Sequence, residues 1–194
     1  MIKVGLTGTI GSGKSTIAKV FENLNIPIFF ADSEAKACYF DDEVKAKIIQ
    51  LLGEDSYKSE NKLNTEYISN KAFNNKELLA QLSNIIHPAV QERYQRFIKN
   101  NISSHYTIME AAILHESGSY KNFDYIITVT APIDIRVQRV IQRENCSEQE
   151  VLNRIDKQWS DEKKLNNSDF SIINDGQKPV IPQVLDIHNK LLQL

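Results

Sequence analysis

Three features of this 194-residue sequence predict an α/β fold in which helices cover both faces of a parallel sheet. Five short apolar runs are spread along the chain, helix-periodic segments separate them, and the first run leads straight into the glycine-rich stretch GTIGSGKST at Gly8 to Thr16. Near-continuous apolar runs suit strands buried on both faces, as a parallel sheet requires. At this length one domain with small appendages is expected, burying about 70% of the unfolded surface.

The first run carries Ile2, Val4 and Leu6 in alternation, the mark of a strand. Behind the glycine-rich stretch, Ile17, Ala18, Phe21 and Leu24 fall at i, i+1, i+4 and i+7, the mark of a helix. The intervening Gly8, Gly11, Ser12, Gly13, Lys14, Ser15 and Thr16 therefore satisfy G-x-x-x-x-G-K-[ST] between a strand and a helix N-terminus. Glycines let successive N–H groups turn inward around phosphate oxygens, and the helix N-terminus favours the same anion. Lys14 is placed to reach the β- and γ-phosphates of a nucleoside triphosphate, and the Ser15 hydroxyl to take one position on Mg2+. The plainer alternative is a glycine-rich turn that happens to carry Lys-Ser.

The second run is IPIFFA at Ile26 to Ala31. A long stretch with helical spacing only follows, about residues 33–105, carrying Val44, Ile48 and Leu51, then Leu78, Leu79, Leu82, Ile85 and Ile86, then Val90, Tyr94, Phe97 and Ile98. It is too large for a loop, so a helical subdomain is expected, divided at Gly53 and at His87-Pro88, where Pro88 suits the first position of a new helix. The third, fourth and fifth runs are YTIMEAA at Tyr106 to Ala112, DYIITVTA at Asp124 to Ala131 and FSIIND at Phe170 to Asp175. Between the last two, a helical hairpin is predicted, with Pro132 opening one helix and a capping box from Ser147 to Glu150 opening the next. Asn74 to Leu79 and Lys164 to Asp169 read as polar connectors.

In an open parallel sheet, ligands bind beyond the carboxyl ends of the strands. Asp32 follows the second run and Glu110 lies near the end of the third, both beside the phosphate-binding loop if their strands flank the first. Phosphoryl transfer to an alcohol needs a carboxylate to orient the hydroxyl and accept its proton, and Asp32 is the candidate, with a helix N-cap as its other reading. Glu110 holds Mg2+ through water or caps buried backbone. Arg136, Arg139 and Arg143 share one face of the hairpin's first helix, either as a solvated basic stripe or as a lid bringing guanidinium groups over the phosphates. His87 faces a substrate groove or makes a structural hydrogen bond. Trp159 and Tyr94 read as core residues.

Lys plus Arg total 23 against 25 for Asp plus Glu, a net charge of -2 that offers no field for nucleic acid or an anionic membrane. Cys38 and Cys146 are far apart, which fits a reducing compartment rather than a disulfide framework. The four histidines show no metal-ligand spacing. With no secretory leader pattern and no long apolar segment, a cytoplasmic protein without membrane, nucleic-acid or obligate protein partners is expected.

Read end to end, the chain resembles the dephospho-coenzyme A kinase family. That family's G-L-T-G-G-I-G-S-G-K-S-T is matched by Gly5 to Thr16 with Thr9 replacing one glycine, its D-A-D by Phe30-Ala31-Asp32, its v-F by Ala72-Phe73 and its H-P by His87-Pro88. Its P-L-L-x-E appears as Ala112 to Glu116, its Q-x-x-R-x-x-x-R at Arg136, Arg139 and Arg143, and its Q-M as Gln158-Trp159. Its closing A-D-f-v-I-x-N-x-G is matched by Ser168-Asp169-Phe170, Ile173, Asn174 and Gly176.

The resemblance implies a three-layer P-loop kinase fold over 1–194, with a five-stranded parallel sheet, a helical substrate-binding insertion over 33–105 and a helical lid over 132–165. It implies ATP- and Mg2+-dependent phosphorylation of the ribose 3′-hydroxyl of dephospho-coenzyme A, the last step of coenzyme A synthesis. Lys14, Asp32 and Arg139 would be catalytic. The loop residues, Arg143, Asn174 and Gly176 would bind ATP, the last two near adenine, while Asp32, His87, Glu110 and Arg136 would meet the acceptor. Phe30, Ala112 and Thr65 depart from the pattern, replacing an acid, a proline and a frequent arginine. Another small P-loop kinase is the alternative enzyme. A GTPase-like switch is a second alternative, although Asn75 to Leu78 lacks the aspartate of N-K-x-D.

Overall fold

A computed structural model describes residues 1–72 and 75–194; Phe73 and Asn74, on which the v-F match and the start of one predicted connector fall, lie outside the described residues. The chain divides into two compact units, Met1–Phe30 with Asn101–Leu194, and Ala31–Asn100. In chain order its elements are β1 (Ile2–Thr7), α1 (Lys14–Asn23), β2 (Ile28–Phe30), α2 (Ala31–Cys38), α3 (Asp42–Leu52), β3 (Tyr57–Ser59), β4 (Lys62–Leu63), α4 (Thr65–Ala72) and α5 (Lys76–Asn100). Then come β5 (Tyr106–Glu110), β6 (Tyr125–Thr130), α6 (Ile133–Glu144), α7 (Glu148–Ile155), α8 (Asp161–Leu165), β7 (Phe170–Ile173) and α9 (Val180–Leu192).

The first unit holds the expected five-stranded sheet, in the order β2-β5-β1-β6-β7 with every pairing parallel. The expectation that the second strand flanks the first is corrected: β5 lies between them, pairing Leu6 and Phe30 on either side of Glu110. With only three residues, β2 is an edge strand, and run length alone carries no information on neighbours. Val4, Leu6, Ile108, Ile127, Val129 and Ile172 are fully buried and form one core with Ile17, Ala18 and Phe21 of α1 and Val184, Ile187 and Leu191 of α9. Burying a side chain such as Phe21 contributes about 1.5–3 kcal/mol. Helices α1 and α6 end where Asn25 and Asn145 turn left-handed, at φ 61° and 51°, a conformation asparagine tolerates.

Helices α6 and α7 make the predicted hairpin. Pro132 precedes α6, and Ser147 and Glu150 form the capping box in both directions. Val137, Val140 and Val151 form a small core between the two helices, with Ile10 of the glycine-rich loop packed against it.

The second unit has its own core of Val44, Ile48, Leu52, Ile68, Leu82 and Ile86. Arg93 ties α5 to α2 through Glu34 at 2.8 Å and to the Asp41 carboxylate at the start of α3. Two expectations are corrected here. Pro88 lies inside one continuous helix of 25 residues instead of opening a new one. Its missing N–H costs a single hydrogen bond, which the remaining turns of a long helix outlast. The unit is also not purely helical, because β3 and β4 pair antiparallel. Strands of three and two residues are too short to produce a periodic signal.

Candidate active site

The glycine-rich loop joins the C-terminal end of β1 to the first turn of α1, the place its strand-loop-helix context demands. Gly11 and Gly13 adopt φ 78° and 90°, which other L-residues rarely accept. A Cβ at Gly11 would lie 2.5 Å from the Arg136 carbonyl oxygen, and one at Gly13 would overlap the side-chain amide of Asn174. Neighbouring elements thus hold the loop from outside, leaving its curve to backbone alone. Lys14 is 9% exposed, with Nζ 3.5 Å from the Thr9 carbonyl, while Ser15 is exposed at the start of α1. The Ser12 hydroxyl is buried with no hydrogen-bond partner among the described residues. A backbone cradle at a helix N-terminus, with a lysine and an orphaned hydroxyl, fits a polyphosphate.

Asn174, just past β7, meets the loop directly. Its side-chain Nδ2 donates to the Ser12 carbonyl at 2.9 Å and its own backbone N–H to the Thr130 carbonyl at 2.8 Å. Arg139 approaches both sides of this contact, reaching the Gly11 carbonyl at 3.4 Å and Asn174 Oδ1 at 3.5 Å. The predicted adenine-side residue, the loop and one predicted arginine are therefore brought together. Gly176 follows at φ 80° in a turn where the Asp175 carboxylate accepts the Gln177 and Lys178 N–H groups, which hold its pKa below the usual value.

The arginine stripe does not form one uniform face. Arg136 is 6% exposed and pairs with Asp161 at 3.5 Å; Arg139 is half-buried against the loop; Arg143 is exposed and pairs with Glu144, which Arg154 also holds. Spacing of i, i+3 and i+7 keeps the three within about 60° around the helix but spreads them about 10 Å along its axis, and Asp161 at the start of α8 pairs with the first of them. Glu110 is 5% exposed at the last position of β5, beside the end of β1.

Asp32 and His87 belong to the second unit. Asp32 is exposed in the first turn of α2, the second residue past β2 in the chain, so the helix begins before it and the N-cap reading is corrected. His87 is exposed within α5. Among departures from the family pattern, Phe30 ends β2, Ala112 follows β5, and Thr65 opens α4.

Sequence reasoning gave no role to four residues that support the loop. Gln158 Oε1 accepts the Ile10 N–H at 2.8 Å, and Asp161 Oδ1 accepts the Thr9 hydroxyl at 2.8 Å. Glu116 accepts the Trp159 N–H at 2.9 Å and pairs with Lys164 at 2.8 Å. Glu116 and Gln158 lie within the P-L-L-x-E and Q-M matches, which is a signal; Asp161 reads only as a first-turn acid of α8. Trp159, expected in the core, is half-buried and stacks on His115 with ring centroids 5.7 Å apart, while Lys163 Nζ lies 3.6 Å from its ring centroid. Burial lowers the pKa of His115.

The dephospho-CoA kinase family model matches residues 2–179. A dephospho-CoA kinase of Bacteroides fragilis is 38% identical over 187 residues, 96% of this chain and 91% of that protein. One of Aquifex aeolicus is 31% identical, with 98% of each chain covered. Among solved structures, a Thermus thermophilus protein aligns with a TM-score of 0.88 at 26% identity, covering 98% of this chain and 97% of that one. A shikimate kinase of Acinetobacter baumannii, at 0.52 and 13% identity over 100% of this chain and 94% of its own, shares the fold.

Proposed function

The chain belongs to the dephospho-CoA kinase family, and on that premise we propose that it transfers the γ-phosphoryl group of ATP to the ribose 3′-hydroxyl of dephospho-coenzyme A with Asp32 as base. It is a phosphotransferase with an alcohol acceptor, acting in coenzyme A synthesis. The observation that carries the reading is the loop from Gly8 to Thr16, shaped by Gly11 and Gly13 and fastened by Asn174, in a chain matching the family over nearly its whole length.

Each residue then has a task. Loop amides and Lys14 bind and orient the phosphates, and Arg139, already against the Gly11 carbonyl, neutralises charge spreading over the transferred group. Arg143 assists from the exposed end of α6 by exchanging Glu144 for phosphate, and Arg136 supports the acceptor side while anchored on Asp161. Asn174 and Gly176 border the adenine. Asp32 orients the attacking hydroxyl and takes its proton onto the carboxylate, with His87 among the acceptor contacts. Ser15 and, through water, Glu110 fit Mg2+, both being oxygen donors beside the loop. The ion's contribution when bound is to offset the negative charge of the phosphates.

No helix among the described residues is long and apolar enough to cross a membrane. The separated thiols, one buried and one half-buried, support a cytoplasmic setting, with a small molecule as the partner. An acceptor lacking only the ribose 3′-hydroxyl tests the regiochemistry. No transfer to it is expected, and phosphorylation of that analogue would place the reaction at another hydroxyl.

A further inference from the structure

We propose that Glu116 and Lys164 are positioning residues for the phosphate-binding loop, acting through Gln158; the inference rests on the reading that Gly8 to Thr16 holds the phosphates of ATP. Lys164 is fully buried in α8, with Nζ 2.8 Å from Glu116 Oε1 and 3.5 Å from the Ala112 carbonyl. A buried ammonium costs several kcal/mol and persists only with a well-placed partner. The same Glu116 oxygen accepts the Trp159 N–H at 2.9 Å, so the ion pair fixes the backbone of the turn between α7 and α8. Burial works to raise the Glu116 pKa, but Lys164 and the Trp159 amide together hold it below the usual carboxylate value.

That turn carries the contacts to the loop. Gln158, preceding Trp159, accepts the Ile10 N–H at 2.8 Å; Asp161, two residues after Trp159, accepts the Thr9 hydroxyl at 2.8 Å and pairs with Arg136. Two variable positions of the G-x-x-x-x-G-K-S stretch are thus held by the turn and the first residue of α8, and the Trp159 amide between those two contacts is held by Glu116. His115 secures the other side, stacking on Trp159 and bonding through Nε2 to the Asn167 carbonyl at 3.0 Å. Fixing the Ile10 amide sets the Thr9–Ile10 peptide plane, one peptide ahead of Gly11. A displacement of about 1 Å in such a site costs roughly 10²-fold in rate. A buried ion pair is weak evidence for stability in its own right, since an apolar pair often serves as well. The contacts of this pair point instead to orientation.

The test is a double-mutant cycle on the full chain, using steady-state kinetics with ATP and dephospho-coenzyme A and a thermal melt for every variant. Lys164→Met and Gln158→Ala should each raise the KM for ATP about tenfold, and the double variant should rise no further, because coupled residues are non-additive. The KM for dephospho-coenzyme A should stay within about twofold, well inside the span of one hydrogen bond. The charge-neutral pair Glu116→Gln with Lys164→Met keeps an amide oxygen for Trp159 and should restore the KM for ATP toward wild type, which also covers the case where Lys164→Met alone fails to fold. An additive double variant, or equal rises in both KM values, would overturn the inference. Lys14→Ala separates it from its premise: unimpaired ATP kinetics there would remove the phosphate-loop reading, whereas impaired kinetics together with an additive cycle would remove the positioning role alone.

Discussion

The side-chain amide of Asn174 donates to the Ser12 carbonyl at 2.9 Å, joining two residues 162 positions apart. The contact fastens the end of the last strand to the phosphate-binding loop, and Arg139 lies against Asn174 and the Gly11 carbonyl, next to Ser12 in the loop. Replacing Asn174 by Asp would set a carboxylate against the Ser12 carbonyl while keeping an acceptor for Arg139. An unsatisfied buried acceptor costs about 1–3 kcal/mol, so the KM for ATP should rise about tenfold or more in Asn174→Asp. Steady-state kinetics with ATP varied checks this, and an unchanged KM would mean the contact does not shape the loop.

Asp32→Asn keeps the size of the side chain and removes its basicity. Loss of a positioned general base lowers turnover by about 10² to 10⁴-fold, and ATP affinity should be unchanged because the phosphates are held elsewhere. Single-turnover rates with a separate ATP titration measure the two quantities independently. Full turnover in this variant would remove Asp32 from the role.

The glycine at position 13 sits at φ 90° against the amide of Asn174. In Gly13→Ala the methyl group would displace Asn174 as well as strain the backbone, and strain of this kind costs about 1–3 kcal/mol. The variant should fold, yet show little of the rise in melting temperature that saturating ATP gives the wild type. An undiminished ATP-induced rise would contradict the cradle geometry.

Acid should loosen the cluster behind the loop in two stages. Burial lowers the His115 pKa from 6.5, so its neutral form contributes stability above that value, and this is lost as pH falls from 6.5 through the folded-state value. The Glu116 pKa, lowered from 4.5 by Lys164 and Trp159 against the effect of burial, gives a second loss below pH 4.5. His115→Gln should therefore flatten the fall in melting temperature just below pH 6.5 and leave the lower stage in place. Equal slopes in wild type and variant would refute the assignment.

Most of the fold was legible because long-range order followed from local pattern. Five apolar runs gave five parallel strands, and Ser147 with Glu150 announced the start of α7. Strand order was not legible: the place of β5 beside β1 depends on how crossovers pack, which the run of Ile26 to Ala31 does not encode. Pro88 was read as a boundary because proline disfavours helix interiors, and the continuous α5 overrode that local preference. The loop itself was legible to the residue, since its chemistry is its spacing. Its supports were not, because Gln158, Asp161 and Glu116 meet Thr9, Ile10 and Trp159 only through tertiary contact.

Mass spectrometry of the products formed from Mg-ATP and dephospho-coenzyme A, beside nucleoside monophosphates, shikimate and gluconate, tests the central claim most directly. One added phosphoryl group on dephospho-coenzyme A and on no other acceptor is the predicted result. Transfer to another member of the panel, or to none, would contradict it.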